Sequence, residues 1–211
     1  MATDWATIAS LATAGGTLVL AVSTFASVRS ANRAARVAEQ ALLVGLRPLL
    51  VPSRLQDDAQ KISFIDGKYV PLPGGCAAVE IDGDIIYLAI SLRNAGRGIA
   101  VLHSWHVWPG RRRGEERPDL SVFRRLSRDL FVSPSDVGFW QGAIRDPADP
   151  ARDEVLAAIK DGEPLTIDLL YGDYEGGQRV ISRFLLQHRG TDSRWLASVA
   201  RHWNVDRPDP R

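Results

Sequence analysis

IIYLAISLRNAGRGIAVLHSWHVW, residues 85–108, decides the architecture. Ile86, Leu88, Ile90 and Leu92 recur at period two, the spacing of a strand with one buried side. Asn94-Ala95-Gly96-Arg97-Gly98 then interrupts the run. Asn and Gly accept positive φ, so the chain can turn there. Residues 99–108 resume the apolar run. Two long strands joined by a turn predict a β domain.

The flanking sequence repeats this grammar. Upstream, residues 77–81 read as a strand that meets residue 85 through Asp82-Gly83-Asp84, a turn with hairpin chemistry. Residues 61–65 alternate and end on Asp66-Gly67. Pro71, Pro73, Gly74 and Gly75 make a loop, and Leu49 to Val51 is a short apolar run between two prolines. Downstream, residues 111–118 form a charged loop, and Phe131-Val132 and residues 138–144 are further strand candidates. Asp149 as N-cap, Pro150 at N1, Asp153 and Glu154 in the first turn and Gly162 beyond the end predict one short helix over 149–160. Residues 165–171 and 178–187 flank Gly172-Asp173-Tyr174-Glu175-Gly176-Gly177, the clearest hairpin in the chain. Residues 195–203 are a last strand. Strands do not alternate with helices, so a parallel sheet is not expected. The predicted class is mainly β: an antiparallel β-sandwich, immunoglobulin-like, with one short helix.

The amino-terminal end is different. Residues 5–28 contain no Asp, Glu, Lys, Arg or His over 24 positions. As a helix this run is about 36 Å long, enough to cross a hydrocarbon core of about 30 Å. Leu18, Val19, Leu20, Val22 and Phe25 are its apolar centre, Trp5 opens it, and Arg29, Arg33 and Arg36 follow it. A cleaved signal peptide wants a basic start and a shorter apolar run; here the start carries Asp4 and the arginines come after. The run therefore predicts an uncleaved transmembrane α-helix, with Ala12 and Gly16 as a small-xxx-small pair. Lys and Arg favour the cytoplasmic side, so the prediction is a cell-membrane, single-pass protein with its soluble domain in the cytoplasm. The expected segments are an anchor over 1–28, a juxtamembrane helical stalk over 29–46, the β-sandwich domain over 47–206 and a polar tail over 207–211. Pro48 closes the stalk. Val28, Ala31, Ala35, Ala38 and Leu42 give that stalk a short heptad-like stripe.

Composition narrows the function. Hydrophobic residues make up 45% of the chain, enough for a real core. Positions 47–211 carry 23 basic and 23 acidic residues, so the domain is neutral, unlike a general nucleic-acid binder. Arginine supplies 23 of the 26 basic residues, a bias that points to GC-rich DNA and a bacterial source. The single cysteine, Cys76, cannot make an intrachain disulfide.

Taken together, the Ala-rich anchor, Arg47-Pro48-Leu49-Leu50-Val51-Pro52, residues 92–100, Gly138-Phe139-Trp140-Gln141 and residues 171–177 resemble a group of proteins. These are uncharacterised single-pass membrane proteins of high-GC Gram-positive bacteria, with an immunoglobulin-like soluble domain. The group has no assigned activity, so the resemblance implies a fold and a location but no site. Asn94-Ala95-Gly96 between strands is also similar to turns in bacterial immunoglobulin-like adhesion modules.

Candidate chemistry is sparse. His103 and His106 are three apart, which on a strand places them on opposite faces. Asp82, Asp84, Asp173 and Glu175 offer oxygen to calcium, yet Asp and Gly are also the ordinary residues of tight turns. Cys76 lies in a Gly/Pro-rich loop that suggests exposure, and Ser104 has no nucleophile motif. Gly74-Gly75 and Gly176-Gly177 lack the following Lys-Ser/Thr of a phosphate loop. Trp105, Trp108, Phe139, Trp140, Trp195 and Trp203 are expected mostly in the core. The richest feature is residues 111–129, with seven arginines and four acids. Arg111, Arg112 and Arg113 are its candidate lipid or partner contacts, against neutralisation by Glu115, Glu116 and Asp119. No catalytic, cofactor-binding or metal residue is assigned, and no cofactor is expected.

The reading is a membrane-anchored, non-enzymatic interaction module on the cytoplasmic face. Its partners would be the bilayer and a protein or a second copy, with no nucleic acid. A lipid- or calcium-responsive peripheral sensor is the alternative. A membrane-bound hydrolase comes third, without a residue that speaks for it.

Overall fold

A computed structural model describes residues 4–114, 116–188 and 194–209. The chain divides into two compact units, Met1–Val44 and Gly45–Arg211.

The first unit is one helix, α1 (Trp5–Gly45), unbroken across the expected boundary between anchor and stalk. Trp5, Leu18, Val19, Leu20, Val22 and Phe25 are all exposed on it. Its apolar window has a mean hydropathy of 1.7 with none of it buried, so by length and composition this helix can cross a membrane. The hydroxyls of Thr13, Thr17 and Thr24 donate to the carbonyls of Ala9, Thr13 and Leu20. That satisfies them without water, as a hydrocarbon surrounding requires. Arg29, Arg33 and Arg36 lie on the same helix beyond the apolar run.

The second unit is mainly β. Its strands are β1 (Leu50–Pro52), β2 (Gln60–Ser63), β3 (Tyr69–Leu72), β4 (Cys76–Asp82), β5 (Ile85–Asn94) and β6 (Ala100–Pro109). They continue as β7 (Arg124–Val132), β8 (Val137–Ile144), β9 (Leu165–Gly172), β10 (Val180–His188) and β11 (Trp195–Asn204). A 3-10 turn (Leu120–Val122) and one short helix, α2 (Arg152–Lys160), complete it. Among the described residues nine strands make one antiparallel sheet in the order β1-β5-β4-β11-β10-β9-β6-β7, with β8 on the other edge of β5. β2 and β3 form a separate hairpin. Arg128 Nη2 donates to Gln141 Oε1 at 3.0 Å, tying β7 to β8, so the sheet curls until its two ends meet. Among the described residues β4 and β11 pair through Trp195–Ala77 and Leu196–Cys76.

The curl encloses the main core, which includes Leu88, Ile90, Trp105, Trp140, Tyr171 and Phe184. The expected one-sided burial of residues 85–93 proves too simple. Tyr87 and Ala89 point the other way and are covered by Ile62, Phe64, Val70 and Leu72 of the β2–β3 hairpin. β9 is also buried along its whole length. Its outer face carries a third cluster, Leu170, Ile181 and Trp203, against Leu120 and Phe123. Residues 110–114 and the 3-10 turn with Phe123 thus lie over the outside of β9 and β10.

Three expectations need correction. β7 starts at Arg124, well before Phe131, because an edge strand can alternate arginine with apolar residues. α2 starts at Arg152 with Ala151 as N-cap and no side-chain cap. Asp149 instead accepts from the Ala151 amide and pairs with Arg124 at 2.7 Å, which uses up its capping oxygens. Cys76 is only 2% exposed, since β4 begins at that residue and carries it inward. Burial pushes its thiol pKa up.

Candidate functional site

Three rows of side chains cross the outer face of β6, β9, β10 and β11. The middle row is polar: His106, Asp168, Arg183 and Arg201 are register neighbours in that order. Below it run Ser104, Leu170, Ile181 and Trp203; above it run Trp108, Thr166, Leu185 and Ser198. Side chains two apart on a strand share a face, so the polar row sits on the Trp203 cluster and under residues 110–114.

Asp168 is wholly buried. It accepts from Arg183 Nε at 2.7 Å, Arg183 Nη2 at 2.9 Å and Trp108 Nε1 at 3.0 Å. Such a bidentate pair is held in one orientation by its geometry. The Arg183 side chain is itself only 8% exposed. A guanidinium has five N–H groups, and Asp168 uses two. Arg183 Nη1 makes no hydrogen bond among the described residues and faces Gly114, 3.9 Å from where a Cβ there would stand.

The arginine loop is fastened over this pair. Gly110 turns the chain out of β6 with a positive φ of 72°. The Arg112 amide donates to Thr166 Oγ1 at 3.1 Å, and that hydroxyl donates to the Gly110 carbonyl at 2.8 Å. The Arg112 guanidinium lies 4.3 Å over the Trp108 ring. Arg183 and Arg201 lie 4.9 Å and 5.5 Å over Trp203. Two tryptophans therefore hold three arginines in place. Together Arg111, Arg112, Arg113, Arg183 and Arg201 wall a cleft of about 600 Å³. Leu185 and Ala200 give it an apolar floor.

Of the residues singled out in the sequence, Arg111, Arg112 and Arg113 come together here. Of their expected neutralising acids, Asp119 is occupied by the Ser121 amide and hydroxyl, Glu116 makes no ion pair among the described residues, and Glu115 lies outside the described residues. No carboxylate pairs with Arg111, Arg112 or Arg113 among the described residues. Sequence reasoning missed Arg183, Asp168 and Arg201. The signal was present in ISRFLL and TIDLLY, two hairpin strands whose apolar runs each hold one charge of opposite sign.

The other candidates are explained locally. His103 is exposed at a register shift in β6, between Leu102 and Ser104, and His106 is buried beyond it. Burial lowers both pKa values, and Arg179 adds to this at His103. His106 Nδ1 donates to the Val122 carbonyl at 3.0 Å. Asp82 pairs with Lys68 and Asp84 with Arg152, while Asp173 accepts from the Gly177 and Gln178 amides. Among the described residues no group of three or more His, Cys, Asp or Glu gathers to hold a metal. A Ser–His contact that spacing did not reveal joins Ser182 Oγ to His202 Nδ1 at 2.6 Å. Ser182 is completely buried and also bonded to the Tyr171 hydroxyl, so no substrate carbonyl can reach it. Trp105, Trp140, Trp195 and Trp203 are in the core as expected.

No family model matches the chain, and no curated protein does. Among solved structures, a crystal structure of a protein from Archaeoglobus fulgidus aligns over 61% of this chain and 93% of its own length. It is 12% identical with a TM-score of 0.25, a likeness that carries no argument for fold or function.

Proposed function

We propose that this chain is a membrane-anchored, non-enzymatic binding module that receives an anionic group of its ligand in the arginine-walled cleft. The observation that carries this reading is Arg183. A buried carboxylate orients it by two bonds, and its remaining N–H edge is left for the cleft. A salt bridge serving stability alone gains nothing from three more arginines beside it that have no carboxylate partner among the described residues, because like charges repel. α1 supports tethering to a bilayer, and Arg29, Arg33 and Arg36 support a cytoplasmic domain by charge bias. β8, β5, β4 and β1, the last two both paired to β5, and β11-β10-β9-β6-β7 are read as two layers of an immunoglobulin-like sandwich, divided between β4 and β11.

The test is thermal unfolding of the full chain in neutral detergent, with chloride exchanged for sulfate at constant ionic strength. A ligand that binds only the folded state raises its melting temperature. Sulfate should raise it for the parent and not for Arg111→Ala/Arg113→Ala. An equal rise in both would place the anion elsewhere. A carboxy-terminal alkaline phosphatase fusion should be inactive in cells; activity would put the domain outside.

A further inference from the structure

We infer that the cleft is a site for an organic phosphate: a phosphate monoester or diphosphate attached to an apolar body. This rests on the anion-binding reading above and names its ligand class. Charge comes first. Arg111, Arg112 and Arg113 have no carboxylate partner among the described residues, and Arg183 offers its spare edge between them and β10. One carboxylate would neutralise one of these groups and leave the others repelling. A phosphate monoester carries roughly −1.5 to −2 at neutral pH, with three acceptor oxygens. Geometry agrees. Guanidinium forks match phosphate oxygens two at a time, and Arg112 and Arg183 are already fixed on Trp108 and Trp203. Ordering them on binding therefore costs little side-chain entropy. Size and lining give the rest of the ligand. About 600 Å³ is far more than a bare phosphate fills and falls in the range of small-molecule sites. Leu185 and Ala200 are the surface that an apolar body would cover.

Two sources share this chemistry, the phosphorylated headgroup of a membrane lipid and a soluble organophosphate. The experiment is calorimetric titration of the full chain in phosphatidylcholine nanodiscs with phenyl phosphate and, separately, with hexaglutamate. Phenyl phosphate should bind and hexaglutamate should not. Arg111→Ala/Arg113→Ala should weaken phenyl phosphate at least tenfold. Arg111→Lys/Arg113→Lys keeps charge but loses the forks, and should weaken it measurably. Ala200→Glu, on an exposed position, should abolish binding without unfolding the domain. Nanodiscs containing phosphatidic acid separate the sources: lost phenyl phosphate binding there assigns the site to a lipid headgroup, and retained binding assigns it to a soluble ligand. Tighter binding of hexaglutamate would leave the anion cleft standing and overturn the organophosphate. Failure of both titrants, or binding indifferent to the arginine variants, would overturn both.

Discussion

Removing the Asp168 carboxylate would strand the buried charge of Arg183, whose bidentate partner it is. Breaking a buried pair from one side costs about 3–5 kcal/mol, whereas replacing both members with apolar residues is often neutral. Asp168→Ala should therefore lower the unfolding free energy by about that much in urea melts. Asp168→Leu/Arg183→Met should recover most of it while losing anion binding, which separates stability from recognition. Asn94 acts as a second fixed point. Its buried amide donates to the Gly98 and Val132 carbonyls and accepts from the Leu49 and Gly96 amides. Asn94→Ala leaves those groups without partners and should cost about 2–4 kcal/mol in the same assay. Residue-scale function was only half legible. Three adjacent arginines are visible in any reading, but Arg183 and Arg201 join them through strand register, which no local spacing encodes.

The turn after β5 and the segment before β1 form one element. A Cβ on Gly96 or Gly98 would run into the backbone carbonyls of Arg47 and Leu46. The Ala95 amide donates to the Leu49 carbonyl at 2.7 Å. The Arg47-to-Pro52 run and the Asn94-to-Gly98 turn, separate features in the sequence, thus prove to be one joint. Gly98→Ala must push backbone apart where no flexible side chain can yield, so we expect a loss above about 2 kcal/mol and a poorly folded domain. Gly114→Ala meets only the Arg183 guanidinium at ordinary contact distance and should keep the fold. Most strands were legible because turn residues bracket them, as Asp82-Gly83-Asp84 does with Gly83 at φ 57°. β7 was not, since Arg124, Arg125, Arg128 and Asp129 make its first part read as a charged loop in sequence. The start of α2 was misplaced because Asp149 spends its oxygens on Arg124 and a local turn.

At the scale of the whole molecule, stability should pass through a dome in pH. Burial lowers the pKa of His103 and His106 below the ordinary 6.5. The unfolded chain then binds protons that the folded one refuses, so stability falls as pH drops through 6.5. Asp57, Asp66, Asp119 and Asp206 are also lowered, Asp57 chiefly by the Arg54 amide and Asp206 chiefly by Arg179. Their share is lost as pH falls from 3.8 down through the lowered folded values. On the alkaline side Tyr171 is pushed up to about 12 by burial. The unfolded chain gives up that proton near 10, so stability declines above that pH. Melting temperatures of the full chain in detergent should therefore fall between pH 7 and 5, with a shallower slope in His106→Gln. The mainly β class and the apolar amino-terminal helix were legible throughout, from period-two runs and an uncharged stretch. The curl that brings the ends of the sheet together was not, since it depends on contacts between strands far apart in sequence.

The most direct measurement is arginine side-chain NMR of the full chain in neutral nanodiscs during titration with phenyl phosphate. Saturable shifts are expected at Arg183 and Arg112, with none at Arg145 and Arg152, which are paired to Asp66 and Asp84. Small uniform shifts, or no change at Arg183, would contradict it.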